Sequence, residues 1–272
     1  MSAYTDISIL GCGWLGLPLA EVFVQSGYNV KGSTTTPEKL SALKDKNIAP
    51  YLIDLTCAPC QPAIEQFLET DILIVSIPPY KKGETFDYLL QLRNLVKLME
   101  DSPVNRVLFI SSTSVYPDLN RIVDENDAPD ADAIDSNKLL TAEKLFTESN
   151  EWLTTVVRFA GLVGENRHPG KFLAGRTGVA LPESPVNIIH QSDAVELLRQ
   201  VVLQNRWGEV YNACADEHPM RQEFYTAAAQ ALKLTPPQFE EQLQTSFKII
   251  SNKKIKEQLG YAFQYPDPMQ MI

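Results

Sequence analysis

The chain has 272 residues, 44% of them hydrophobic and 21% charged, which excludes disordered, collagen-like and disulfide-scaffold proteins and leaves room for one large domain or a main domain with a smaller lobe. Its 24 Lys and Arg stand against 34 Asp and Glu with no basic cluster, so at a net charge of -10 neither nucleic acid nor an anionic membrane surface is an expected partner. No apolar run approaches the roughly 20 residues of a spanning helix, and the opening MSAYTDISIL lacks the basic segment of a secretory signal, so a cytoplasmic location is expected.

Apolar runs of strand length alternate with helical patterns, which predicts an α/β fold: a Rossmann-type doubly wound parallel sheet with a small C-terminal substrate lobe. Ile7 to Leu10 reads as the first strand, and residues 14–24 as an apolar helix that Gly27 can end. Tyr28 to Gly32 is the second strand. Thr36 then caps, and Pro37 opens, a short helix carrying Leu40 and Leu43. Pro50 to Asp54 is the third strand. Cys57 and Cys60 follow as a lone C-x-x-C, either an unremarkable reduced pair or a redox or metal pair; no other metal-ligand pattern is present.

Asp71 to Ile77 and Arg106 to Ser111 are the fourth and fifth strands. Between them, Glu84 to Met99 reads as a helix whose apolar residues cover more than one stripe, which suits burial against a second subunit. Asp118 to Asp135 is acid-rich and reads as a solvated loop. Ser136 then caps a helix with Leu139, Leu140, Ala142, Leu145 and Phe146, and Thr154 to Arg158 is the sixth strand. Gly161 to Pro185 is long and rich in Gly, Pro and charge, a candidate substrate loop. Ser192 starts a further helix, Val210 and Tyr211 sit in a short strand, and short helices follow from Asp216, the last stopped by Gly260. Residues 1–165, completed by 187–214, then form the cofactor domain, and residues 166–186 and 215–272 the smaller lobe.

Gly11, Gly13 and Gly16 stand in G-C-G-W-L-G between the first strand and a helix. The first glycine permits a tight turn, the second lets backbone approach a pyrophosphate, and the third allows helix and strand to pack closely. The anion would sit on the helix N-terminus at Trp14, Leu15 and Gly16. An acidic residue usually holds the adenosine ribose at the end of the second strand, but that place here reads Gly-Ser-Thr-Thr-Thr. Ser33, Thr34 and Thr35, with Lys39 nearby, suit a 2′-phosphate, so the expected cofactor is NADP or NAD, with NADP favoured. Asp54, Ile77 and Pro78, at the ends of the third and fourth strands, complete the expected cleft.

Three further segments carry a resemblance. Ser111 to Tyr116 reads S-S-T-S-V-Y, Arg158 to Gly164 reads R-F-A-G-L-V-G, and Asn187 to Asp193 reads N-I-I-H-Q-S-D. With the glycine turn, and in this order, they resemble the extended, nucleotide-sugar-epimerase-like branch of the short-chain dehydrogenase/reductase superfamily. GWLGLPLA, ENRHPGKF, VNIIH and the ending YPDP are similar to its atypical, YeeZ-like bacterial subgroup. The resemblance implies NAD(P)-dependent epimerase or dehydratase chemistry in a homodimer, with Ser112 as a catalytic hydroxyl.

The chain departs from that branch at its proton relay, a tyrosine followed four residues later by lysine. None of the ten tyrosines has a lysine at that spacing, and the corresponding slots read Asp135 or Ser136 and Leu139 or Leu140. Tyr116 and Tyr80, just past strand ends, are candidate replacements, with packing the other reading of each. His168, beside Arg167 and Lys171 in the long loop, is a candidate acid or base. Arg167, Lys171 and His190 are candidate contacts to a small anionic substrate, such as a nucleotide-sugar or phosphorylated metabolite, with a solvated loop the other reading of the first two and of His168, and a structural role the other reading of His190. The leading reading is an oxidoreductase with altered acid and base groups; the missing relay directly favours its rival, a non-catalytic protein that senses the NADP/NADPH ratio. A third reading, a UDP-sugar or 6-phosphogluconate dehydrogenase, rests on GCGWLGLPLA; SSTSVY and the short chain argue against it.

Overall fold

The structure is a computed structural model that describes residues 5–56, 62–79, 87–130, 137–241 and 246–272. Its elements begin β1 (Asp6–Leu10), α1 (Gly16–Gln25), β2 (Asn29–Thr34), α2 (Leu40–Lys44), β3 (Ala49–Leu52), α3 (Pro62–Leu68), β4 (Ile72–Val75), α4 (Tyr88–Met99) and β5 (Arg106–Ser112). They continue with β6 (Arg121–Val123), α5 (Lys138–Thr147), β7 (Leu153–Phe159), β8 (Gly161–Val163), α6 (Gly170–Leu173), β9 (Ile188–His190) and α7 (Gln191–Leu203). The last are β10 (Val210–Ala213), α8 (Arg221–Ala231), β11 (Lys248–Ile250) and α9 (Lys253–Leu259).

Seven strands form the central parallel sheet in the order β10-β7-β5-β4-β1-β2-β3. Ile7 pairs with Val30 on one side and with Ile72 on the other, so β1 sits where the strand order reverses. In such a sheet the crevice for a ligand opens at that switch point, beyond the carboxyl ends of the strands. The expected doubly wound Rossmann fold is the one found. Residues 72–75 read Ile-Leu-Ile-Val and are all buried, as a strand covered on both faces requires.

The chain divides into two compact units. One comprises Met1–Ser111, Asp130–Val157 and Leu198–Val210, the other Ser112–Pro129, Arg158–Leu197 and Tyr211–Ile272. The second takes in more chain than the expected lobe, because two small parallel sheets tie its segments together. β6 pairs with β11, Arg121 against Lys248, and β8 with β9, Val163 against His190.

Those pairings also revise two loops. The acid-rich stretch from Asp118 contains β6 and a 3-10 turn at Glu125–Asp127, held by the fork of Arg121 on the Asp127 carboxylate at 2.6 and 3.0 Å. The long segment from Gly161 contains β8 and α6, and Gly170 lets α6 meet α8 closely: a Cβ there would lie 2.2 Å from the Ala228 carbonyl oxygen. Boundaries shift as well. α1 begins at Gly16 rather than at residue 14, and β2 runs on through Ser33 and Thr34, which pair with Tyr51 and Leu52. Asp54 falls in the turn after β3, where its Oδ1 accepts from the Thr56 backbone N–H at 2.9 Å. Asn137 caps α5, accepting the Leu139 N–H at 3.0 Å. Cys57, Cys60, Tyr80, Asp135 and Ser136 lie outside the described residues.

Candidate functional site

A cavity of about 1190 Å³ opens at the carboxyl ends of β1 to β4, and its lining comes from the first unit. Gly11, Gly13, Ser33, Thr34, Thr35, Asp54, Ile77 and Pro78 all line it, as does Lys39. The glycines play the three parts their spacing implies. Gly11 has φ +98°, and a Cβ on it would meet the Ser76 carbonyl oxygen at 2.6 Å. A Cβ on Gly16 would stand 2.2 Å from the Gly11 carbonyl oxygen, so the third glycine lets α1 close on the turn. At Gly13 a Cβ would meet nothing within 4 Å, so it would project into open space a pyrophosphate can use. The start of α1 has no side-chain cap; the Leu17 N–H donates to the Gly13 carbonyl at 3.0 Å and the Leu19 N–H to the Leu15 carbonyl at 3.3 Å, so an anion would meet the positive end of the helix at Leu15 and Gly16.

Trp14, Leu15 and Gly16 are not in the lining; Leu15 is buried, so only its backbone is offered to a ligand. Ser33 is 2% exposed, and its hydroxyl accepts the Gly11 N–H at 2.9 Å. It supports the glycine turn and is not an open phosphate contact. Thr34 likewise spends its hydroxyl on the Thr36 N–H at 3.1 Å. Thr35 and Lys39 are exposed at the cavity and remain the groups a 2′-phosphate would meet. Cys12 also lines the cavity, but burial pushes its thiol up to about 12, so it stays protonated and inert.

The expected catalytic residues lie in the second unit. Ser112 turns its hydroxyl to the Ser114 N–H at 3.2 Å, capping the 3-10 turn at Thr113–Val115. Tyr116 is 2% exposed. Its hydroxyl accepts from Arg158 at 2.7 Å and donates to Asn212 Oδ1 at 2.7 Å, and burial raises its pKa. Of its two readings, catalysis and packing, the geometry is that of packing. Leu139 and Leu140, expected from the sequence to stand where the relay lysine would, are buried.

His168 Nδ1 accepts the Gly170 N–H at 3.0 Å, and His190 Nδ1 accepts the Ser192 N–H at 3.2 Å. In each neutral ring the proton is therefore on Nε2. Burial lowers both pKa values; Lys171 adds to this at His168, while Asp193 and Glu165 oppose it at His190. Arg167 and Lys171 are exposed beside His168. The N-I-I-H-Q-S-D segment also has a packing role. Asn187 Nδ2 donates to the Lys248 carbonyl and its Oδ1 accepts from the Ile250 N–H, both at 2.9 Å. Asp193, fully buried, accepts from the Tyr261 hydroxyl and from the Gln264 and Tyr265 amides, while the Tyr265 ring stacks on His190 at 4.0 Å.

Asp87, which caps α4, and Leu90, Gln91 and Asn94 on that helix also line the cavity, and none was singled out from the sequence as a site residue. The available signal was the helical spacing of Asp87, Gln91 and Asn94.

The glycine turn and its cleft have counterparts among known proteins. Residues 6–97 match the family described as NADP oxidoreductase, coenzyme F420-dependent. The protein YeeZ of Escherichia coli strain K12 is 34% identical over 278 residues, spanning 97% of this chain and 98% of that protein. The chain belongs to the YeeZ family. Among solved structures, the UDP-N-acetylglucosamine 4-epimerase of Bacillus cereus has a TM-score of 0.75 at 16% identity, covering 98% of this chain and 97% of its own. MoeE5 in complex with UDP-glucose and NAD has a TM-score of 0.76 at 19% identity, covering 98% and 96%. This YeeZ-family chain therefore shares its Rossmann-type fold with these structures. No helix among its described residues is long and apolar enough to cross a membrane.

Proposed function

We propose that this YeeZ-family protein is an NAD(P)-dependent oxidoreductase of nucleotide-sugar epimerase or dehydratase type that works in the cytoplasm without the usual tyrosine and lysine pair. The observation that carries the reading is Gly13, which leaves room for a pyrophosphate at the uncapped start of α1. The open space beside Gly13 would take the pyrophosphate against the N-terminal end of α1, and the nicotinamide, when bound, would supply hydride transfer. NADP is the preferred form, because Thr35 and Lys39 are exposed at the cavity where an acidic residue would repel a 2′-phosphate. The substrate is a small anion. Arg167 and Lys171 bind it, His168 and His190 offer Nε2–H donors, and Ser112 supplies a hydroxyl. The assembly is a homodimer through α4 and α5.

A second reading, a non-catalytic sensor of the NADP/NADPH ratio, is favoured by one specific observation: the lysine slots are buried leucines and Tyr116 is bound within the fold. Purified protein loaded with the oxidised cofactor and given a metabolite extract separates the two. Conversion of an extract metabolite in molar excess over protein, with the nicotinamide returned to its starting state, supports the enzyme, and binding with no metabolite converted supports the sensor. Changing Thr35 to Asp and Lys39 to Ala together should shift the NADP/NAD preference at least tenfold toward NAD, about 1.4 kcal/mol. Changing Arg167 and Lys171 to Ala should abolish substrate retention while leaving cofactor affinity within about threefold, roughly 0.7 kcal/mol.

A further inference from the structure

The reading above gives no role to Tyr-Pro-Asp-Pro at residues 265–268, a segment of the second unit. Its later residues act as fasteners. The Pro266 carbonyl accepts from the Asp216 and Glu217 amides at 2.9 and 3.0 Å, and Asp267 accepts the Met269 N–H at 2.8 Å, capping the 3-10 turn at Pro268–Met271. Met271 joins a core with Val163, Ile188 and Phe224.

Tyr265 does something else. Its half-buried ring lies against the His190 imidazole, with centroids 4.0 Å apart and planes tilted by 38°. The Tyr265 N–H donates to Asp193 at 3.0 Å, and the same fully buried carboxylate accepts the Tyr261 hydroxyl at 2.6 Å and the Gln264 N–H at 2.7 Å. His190 ends β9 and Asp193 lies in the first turn of α7. One carboxylate therefore ties Tyr265 to the short stretch of chain that carries the imidazole.

The stack confines that imidazole. Its Nδ1 accepts the Ser192 N–H at 3.2 Å, a long bond, and the χ2 torsion of histidine is broad, so the bond alone leaves the ring room to turn. Half a turn would put a carbon in the place of Nδ1, lose the bond and free the proton to sit on either nitrogen. A ring held on one face by an aromatic neighbour stays in one orientation, with its proton on Nε2.

We propose that Tyr265 is a positioning residue for His190: seated by Asp193, it fixes the imidazole so that Nε2–H is the donor offered to the substrate. The proposal rests on the reading of His190 as a substrate contact.

Nitrogen NMR of the full chain tests it at about pH 7.5, where an imidazole with a lowered pKa is neutral and its two tautomers are distinguishable. The chain has three histidines, so His190→Gln assigns the signal. Wild type and Tyr265→Phe should favour the Nε2–H form of His190 by roughly tenfold or more, about 1.4 kcal/mol. In Tyr265→Leu the two forms should come within about threefold of each other, roughly 0.7 kcal/mol. Inorganic phosphate at constant ionic strength probes the contact itself. It should move the His190 signal with one midpoint in wild type and Tyr265→Phe, and with a midpoint about fivefold higher in Tyr265→Leu, roughly 1 kcal/mol. If Tyr265→Leu does not fold, Tyr265→Met, which also lacks the ring, carries the same expectations. Should phosphate leave the wild-type signal unmoved, the reading of His190 as an anion contact fails and this proposal with it. If phosphate moves the signal but the variant lacking the ring keeps the wild-type tautomer or midpoint, whatever its stability, only the positioning role is overturned. Mixed tautomers in wild type overturn it as well.

Discussion

The Gly11 backbone N–H donates to the Ser33 hydroxyl at 2.9 Å, so the first glycine of the turn on β1 is fastened to the end of the neighbouring strand β2. The Cys12 N–H reinforces it, donating to the Ser33 carbonyl at 2.8 Å. A residue that fastens the turn acts on every ligand the turn binds. Ser33→Ala is therefore expected to weaken NADP and NAD by the same factor, about three- to tenfold or roughly 0.7–1.4 kcal/mol, leaving their ratio unchanged. Titration of both cofactors checks this, and a selective loss of NADP would return Ser33 to the role of a phosphate contact.

Tyr116 should behave as a structural residue. Arg158 is 5% exposed and donates to the Tyr116 hydroxyl, so Tyr116→Phe leaves a buried guanidinium short of one acceptor. The expected cost is about 1.5–3 kcal/mol of unfolding free energy, with cofactor affinity retained. Urea denaturation and cofactor titration measure the two. Undiminished stability together with lost turnover would instead place Tyr116 in the chemistry.

Stability should fall on mild acidification through the histidines. Burial lowers the pKa of His218 below its ordinary 6.5, partly offset by its contact with the Val186 carbonyl at 3.2 Å, and His168 and His190 are lowered too. Above 6.5 all three are neutral in both folded and unfolded chains. As pH drops through that value the unfolded chain takes up protons first, so stability is lost from there down to the folded-state pKa values. Denaturation midpoints at neutral pH and about one unit below 6.5 should differ, and His218→Gln should reduce the difference. A slope unchanged by His218→Gln would count against it.

The dimer is tested on α4. Leu89, Val96 and Leu98 there, and Leu145 on α5, are only half-buried, an apolar surface that a second copy would cover. Light scattering at micromolar concentration should give twice the chain mass for wild type, and the monomer mass for Val96→Arg. A monomeric wild type would remove the expectation.

The order of elements in the sheet was legible because buried parallel strands such as residues 72–75 are short continuous apolar runs, and turns announce themselves by glycine, as at Gly11 and Gly260. The cavity was legible from the same turn, since G-C-G-W-L-G fixes a local backbone. What escaped were tertiary matters. Nothing near Arg121 signals that it will pair with a strand over a hundred residues away, so β6 read as an acidic loop. A three-residue strand carries too little periodicity to be seen alone. Ser33 and Tyr116 are of residue types that serve chemistry and packing equally, and only their neighbours, Gly11 for one and Arg158 and Asn212 for the other, decide which.

The pairing of β6 with β11 sets a timetable for synthesis. The Asn120 side chain receives a hydrogen bond from the Phe247 amide, 127 positions further along, next to the place where the two strands join. Contacts across such a span form late and slowly, because the intervening chain must first be made and its ends brought together. While a ribosome is still short of residue 250, Ile122 and Val123 have no strand partner in β11, whereas β1 to β4, paired within the first hundred residues, can already form. The nascent protein would thus carry a cofactor cradle before its second unit can close, and NAD(P) bound during translation would brace the half already made.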